Sequence, residues 1–176
     1  KLQREDGCRL VADPRIAATA FTGGRATGLQ LKSAADAAGK LIYLELSSIN
    51  PVVILPGALA ERPADIAQEF TISCLMGTGQ FCTNPGLVVL LSGDATEHFI
   101  ADVTQRFAAA PVGVLLSGEV ASSLTHSVQV LQEAGAEVLT SDLPSRPPAY
   151  CVPNTLLRVS GCKFLENSHA LQTEAF

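Results

Sequence analysis

The chain has 176 residues, enough for one domain with a substantial core. Hydrophobic residues make up 47% and charged residues 16%, which excludes a disordered polypeptide. A formal net charge of -5 argues against a nucleic-acid binder, which would present a basic face. The five cysteines, Cys8, Cys74, Cys82, Cys151 and Cys162, are odd in number and form no CxxC pair. This argues against a zinc site and against a secreted disulfide framework, and we expect no metal. Reduced thiols fit a cytoplasmic protein. No apolar run is long enough to span a membrane, and the charged start Lys1-Leu2-Gln3-Arg4-Glu5-Asp6 is not a signal peptide. The absence of an initial Met and the ending at Glu174-Ala175-Phe176 lead us to expect a segment of a longer protein.

Apolar runs alternate with helical patterns, which predicts an α/β fold. Residues 16–21 read as a strand entering Gly23-Gly24, followed by an alanine-rich helix over 25–38 closed by Gly39. Strands are expected over 41–46 and 52–55. Pro63 suits a first helical turn, and Ile66, Phe70 and Cys74 recur on one face until the helix stops near Gly77-Thr78-Gly79. The continuous apolar run 87–91 predicts a strand buried on both faces. Asp94 with Glu97 resembles a capping box opening a helix with the stripe Phe99, Val103 and Phe107. A strand over 112–116 follows, then a helix through Val120, Leu124, Val128 and Leu131 with Gly135 as its C′ residue. Short strands are expected over 137–140 and 155–159, a proline-rich loop over 141–153 and a short helix over 163–169.

Three segments could carry chemistry. Glycines in Phe21-Thr22-Gly23-Gly24 would let a phosphate approach the start of a helix, although an ordinary βα turn uses the same residues. Glu45 sits in the apolar strand Tyr43-Leu44-Glu45-Leu46; burial would raise its pKa and suit it to general-base work, whereas strand alternation would turn it to water. Cys82 lies in Gly79-Gln80-Phe81-Cys82-Thr83-Asn84-Pro85-Gly86, between a helix end and a buried strand, where a nucleophile can be held on a loop. Its alternative is a small packing residue, the role assigned to the other four cysteines. Among those, Cys151 is expected to be exposed in the proline-rich loop. His98 and His126 sit in helical patterns, and no local signature supports a Cys–His hydrolase.

Taken in order, Phe21-Thr22-Gly23-Gly24, Glu45-Leu46-Ser47-Ser48-Ile49-Asn50-Pro51, Gly79-Gln80-Phe81-Cys82 and Glu174-Ala175-Phe176 resemble the aldehyde dehydrogenase superfamily. The stretches around Asn50-Pro51, Leu55-Pro56-Gly57-Ala58-Leu59 and Phe81-Cys82-Thr83-Asn84-Pro85-Gly86 look most similar to its α-ketoglutarate semialdehyde branch. The resemblance implies a three-layer α/β catalytic domain preceded by the last part of a Rossmann-like domain, with residues 1–46 in the dinucleotide-binding part and 47–176 in the catalytic part. It implies NAD- or NADP-dependent oxidation of a small aldehyde to a carboxylic acid, in a homo-oligomer, without nucleic-acid or membrane partners. Cys82 matches the nucleophile and Glu45 the base. Gly23, Leu46, Glu174 and Phe176 match cofactor contacts, and the Cys82 amide matches an oxyanion donor. Gly24 stands where the family has a serine, and Ser47 where it has a glycine. The 176-residue chain alone is expected to be inactive. The competing reading is a non-catalytic domain of the same descent that folds and associates without turnover.

Overall fold

The computed structural model describes residues 4–140 and 150–175. The chain forms two compact units, Lys1–Ser48 and Ile49–Phe176.

The first unit holds α1 (Arg4–Ala12), β1 (Ala18–Gly23), α2 (Arg25–Ala37) and β2 (Leu41–Leu46). β1 and β2 pair in parallel, with Ala18 opposite Leu41 and Gly23 opposite Leu46, so β1-α2-β2 is a βαβ crossover. α1 was not foreseen. Its inner residues Cys8 and Val11 pack with Leu31 and Ala35 of α2 and with Phe21 and Ile42 of the sheet. This covers one sheet face. Side chains alternate along a strand, so the other face carries Leu41, Tyr43 and Glu45, all exposed, with Leu41 at 63% and Tyr43 at 65%.

Gly28 sets how closely α2 lies on β2, because a methyl group there would overlap the Leu46 side chain. A Gly-to-Ala change inside a helix ordinarily gains about 0.5–1 kcal/mol. Forced overpacking costs about 1–3 kcal/mol. Gly28→Ala is therefore expected to destabilise the chain by roughly 1–2 kcal/mol in urea unfolding. An increase in stability would mean that Leu46 is free to turn aside.

The second unit runs β3 (Pro51–Ile54), α3 (Pro56–Glu61), α4 (Pro63–Leu75), a 3-10 turn (Met76–Gly79), β4 (Leu87–Leu90), α5 (Asp94–Ala109), α6 (Gly118–Glu133), β5 (Glu137–Val138), β6 (Leu157–Arg158), α7 (Gly161–Glu166) and α8 (Ser168–Leu171). β3 and β4 pair in parallel, while β5 and β6 form a two-residue antiparallel ladder. The core gathers Ile54, Leu59, Ile66, Phe99, Val103 and Phe107, with the Phe70 ring tilted against Phe99 and stacked on Phe107.

Several expectations need correction. No strand forms over 112–116, because its amides bond elsewhere: Leu115 donates to the Tyr150 carbonyl and Leu116 to Gln80 Oε1. β4 is not buried on both faces, since Val89 is 45% exposed. The capping box does not close. Gly93 is the N-cap of α5 and has no side chain to offer, and Glu97 instead forms a paired contact with Arg158 at 2.7 and 2.8 Å. That ion pair holds the Glu97 carboxyl below its ordinary value. The expected helix over 163–169 breaks at Asn167, and the outer strands are shorter than expected. α3 was not foreseen, although Pro56 at its start and the buried Leu59 place it in the core. Within the described residues, no helix is long and apolar enough to cross a membrane.

Candidate active site

The segment bearing Cys82 is shaped by the end of α4. Gly77, Thr78 and Gly79 take φ values of 60°, 61° and 74°, a left-handed run that stops the helix and reverses the chain. Two glycines accept this without penalty. Thr78 does not, because a β-branched residue in the left-handed region is strained. The side chain of Thr78 lies directly over Gly113, where a methyl group would overlap it.

Three amides then pin the loop. Asn84, only 3% exposed, donates from Nδ2 to the carbonyls of Cys74 at 3.2 Å and Met76 at 2.8 Å, which satisfies the open end of α4. The Asn84 backbone N–H reaches the Phe81 carbonyl at 3.1 Å, closing a turn with Cys82 and Thr83 at its tip. Asn50, at φ 40°, donates from Nδ2 to the carbonyls of Cys82 at 2.8 Å and Asn84 at 2.9 Å. Gln80 donates to the Gly77 carbonyl and accepts from the Leu116 amide. These three residues carry no chemistry that sequence reasoning would single out. The signal available was Asn, a residue tolerant of left-handed backbone, placed on both sides of the cysteine.

Cys82 is exposed at this tip, and among the described residues no acceptor faces its backbone N–H. The Cys82 carbonyl points the other way, into Asn50. Cys74 contrasts with it. Its Sγ lies 3.6 Å from the Pro85 carbonyl, and burial pushes its pKa up to about 12. Cys151 is buried, only 8% exposed, which corrects the expectation of an exposed thiol, and the carbonyl of its neighbour Tyr150 accepts from the Leu115 amide. Cys162 is exposed. With limiting iodoacetamide and peptide mapping, labelling is expected in the order Cys82, Cys162, then Cys74 and Cys151 well behind. Label on Cys162 first would count against the tip of this turn as the reactive position.

A cavity of about 450 Å3 in the second unit is lined by apolar side chains including Phe70, Phe99, Leu124 and Val128, and reaches Gly79 and Pro85 on either side of the cysteine turn. Cys82 itself is not among its lining residues. Glu174 is half-buried in the coil after α8, and Phe176 falls outside the described residues.

The first unit brings Gly23, Glu45 and Leu46 together, since Gly23 is the register partner of Leu46 and Thr22 that of Glu45. Glu45 is exposed, in line with strand alternation. Gly23, at φ 156°, lies against the Phe21 ring, and a side chain at Gly24 would meet nothing within 4 Å. α2 starts there without a side-chain cap of its own, and the Arg25 amide is taken by Ser47 Oγ at 3.2 Å.

A sequence profile described as the aldehyde dehydrogenase family matches residues 2–160 of this chain. The chain belongs to the aldehyde dehydrogenase family. It is 44% identical over 129 residues to alpha-ketoglutaric semialdehyde dehydrogenase 2 of Azospirillum brasilense, covering 72% of this chain and 25% of that protein. It is 30% identical over 173 residues to alpha-ketoglutaric semialdehyde dehydrogenase of Acinetobacter baylyi, covering 97% of this chain and 33% of the relative. The chain thus spans a quarter to a third of the length of these aldehyde dehydrogenases. Its fold is shared by solved members of the family. An aldehyde dehydrogenase from Bacillus cereus aligns with a TM-score of 0.78 over 97% of this chain and 35% of that one, at 19% identity. Succinic semialdehyde dehydrogenase from Streptococcus pyogenes, solved in complex with NADP+, aligns with a TM-score of 0.74 over 89% of this chain and 36% of that one, at 20% identity.

Proposed function

We propose that the protein carrying this chain oxidises an aldehyde to a carboxylic acid with NAD+ or NADP+, through a thioester on Cys82. The observation that carries the proposal is the pinned turn, which presents an exposed thiol beside an amide free to donate. The Cys82 thiolate adds to the aldehyde carbonyl, and the Cys82 N–H donates to the oxygen as negative charge develops there. The adduct loses hydride, the carbonyl re-forms as a thioester, and water hydrolyses it to the acid and the free thiol. Glu45 takes the proton from that water.

The bound nicotinamide nucleotide would supply the hydride acceptor. The β1–α2 turn suits its pyrophosphate: Gly23 and Gly24 carry no side chain, the space beside Gly24 is open, and α2 begins there without a side-chain cap. Leu46, Glu174 and Phe176 complete the proposed cofactor contacts. Residues 1–46 belong in this reading to the dinucleotide-binding part and residues 47–176 to the catalytic part. The similarity to the two semialdehyde dehydrogenases favours α-ketoglutarate semialdehyde as substrate. A cytoplasmic homo-oligomer is the assembly we propose. A dinucleotide site draws on several parallel strands, and the described residues of the first unit form two, so the 176-residue chain alone is expected to be inactive.

The test uses the full-length protein. It is mixed with aldehyde and oxidised nicotinamide nucleotide, quenched in acid and digested for peptide mapping. Acyl mass on the Cys82 peptide, formed only when both reactants are present, is the expected result. Acyl mass on Cys162, or none on any thiol during reduced-nicotinamide formation, would overturn the assignment.

A further inference from the structure

We propose that Asn50 is the positioning residue of the Cys82 thiol. Its side-chain amide clasps the carbonyls of Cys82 and Asn84, and so fixes the direction in which the thiol and the Cys82 N–H meet a substrate carbonyl. The proposal rests on the thioester reading of Cys82 given above. A side chain leaves its Cα in a direction set by the two planar peptides that join there. At Cys82 each plane is held by a different residue. The preceding plane is held through the Phe81 carbonyl, which accepts from the Asn84 backbone N–H at 3.1 Å. The following plane is held through the Cys82 carbonyl, which accepts from Asn50 Nδ2 at 2.8 Å. The first bond lies within the turn. The second comes from 32 residues away and ties the direction of the thiol to the sheet.

The anchor is itself held on both sides. Gly86 donates its N–H to the Ile49 carbonyl at 2.9 Å, and the β3–β4 ladder begins directly afterwards with Pro51 opposite Leu87. Asn50 sits between these two ties, at a φ of 40° that asparagine tolerates better than most residues. A primary amide has two N–H donors on one nitrogen, and both are used here, at 2.8 and 2.9 Å. No other side chain of this size gives the same pair of bonds. A serine donates once, and an aspartate carboxylate only accepts. Nucleophile and oxyanion donor belong to the same residue, so one clasp orients both. A displacement of about 1 Å at reacting atoms costs on the order of 10² in rate.

The test uses three variants of the full-length protein. Asn50→Gly removes the amide but suits a left-handed backbone, whereas Asn50→Ala removes the amide and adds strain. Both are expected to slow single-turnover formation of reduced nicotinamide by the same factor, about 10- to 100-fold, although Asn50→Ala unfolds at lower urea. Asn50→Asp should be at least as slow as Asn50→Gly. Calorimetric titration with the oxidised nucleotide counts the folded sites to which each rate is normalised, and its dissociation constant should stay within about twofold of the unsubstituted protein. An undiminished single-turnover rate in Asn50→Gly would overturn the proposal. So would a rate loss that follows the loss of stability from one variant to the next, or one matched by weaker nucleotide binding. Cys82→Ala, run alongside, separates the two readings: an undiminished single turnover there would overturn the thioester reading, and the role of Asn50 with it.

Discussion

Glu45→Gln in the full-length protein is expected to give one rapid turnover and then stall, with the steady-state rate down about 10²–10⁴-fold. Glutamine keeps the shape of the side chain but cannot take a proton from water, so oxidation proceeds and hydrolysis does not. Acid quenching during the stall should find acyl mass accumulated on Cys82. Cys82→Ala should remove the first turnover as well, with a loss of roughly 10⁴–10⁶-fold. Both residues are exposed, and the turn that carries Cys82 is held by Asn50 and Asn84, so neither change should unfold the chain. Steady turnover at the normal rate by Glu45→Gln would remove Glu45 from the mechanism while leaving Cys82 in it.

At alkaline pH the second unit is expected to lose stability through Cys74. Its folded pKa is raised from 9.0 to about 12 by burial. Below pH 9 the thiol keeps its proton whether folded or unfolded, so its contribution is complete and flat. Between pH 9 and about 12 the unfolded chain ionises while the folded chain does not, and stability falls as pH rises. The slope is about 1.4 kcal/mol per pH unit, amounting to roughly 4 kcal/mol across the window. Urea unfolding at pH 8, 9, 10 and 11 measures it. Cys74→Ala removes this component and leaves the lysine and tyrosine contributions common to both proteins. Parallel pH profiles for the two would show that the folded chain does not shield the Cys74 thiol from ionisation.

Local pattern carried much of the fold. Phe99, Val103 and Phe107 are four residues apart on one helix, so their burial follows from a periodicity visible in any window that contains them. The 112–116 segment failed for the opposite reason. Its composition suits a strand, but a strand needs a partner, and here Tyr150 and Gln80 take the amides. Cys151 was misplaced because proline content says where a chain bends and nothing about what packs over it. Glu45 shows alternation prevailing over the case for burial, as it follows Leu41 and Tyr43 onto the open face. At the site, the position of the cysteine between a helix end and a strand was legible. What holds it was not, because Asn50 reaches Cys82 across 32 residues and Gln80 reaches Leu116 across 36.

The left-handed Thr78 beneath the Cys82 turn also constrains how this sequence can drift. Its side chain fills the space over Gly113 that any other residue there would need. A side chain at 113 is tolerable only after Thr78 has been lost, and a glycine at 78 would relieve backbone strain while opening a gap. Substitution should therefore proceed in a fixed order, with 78 first and 113 second. Descendants carrying a larger residue at 113 should almost always carry glycine at 78.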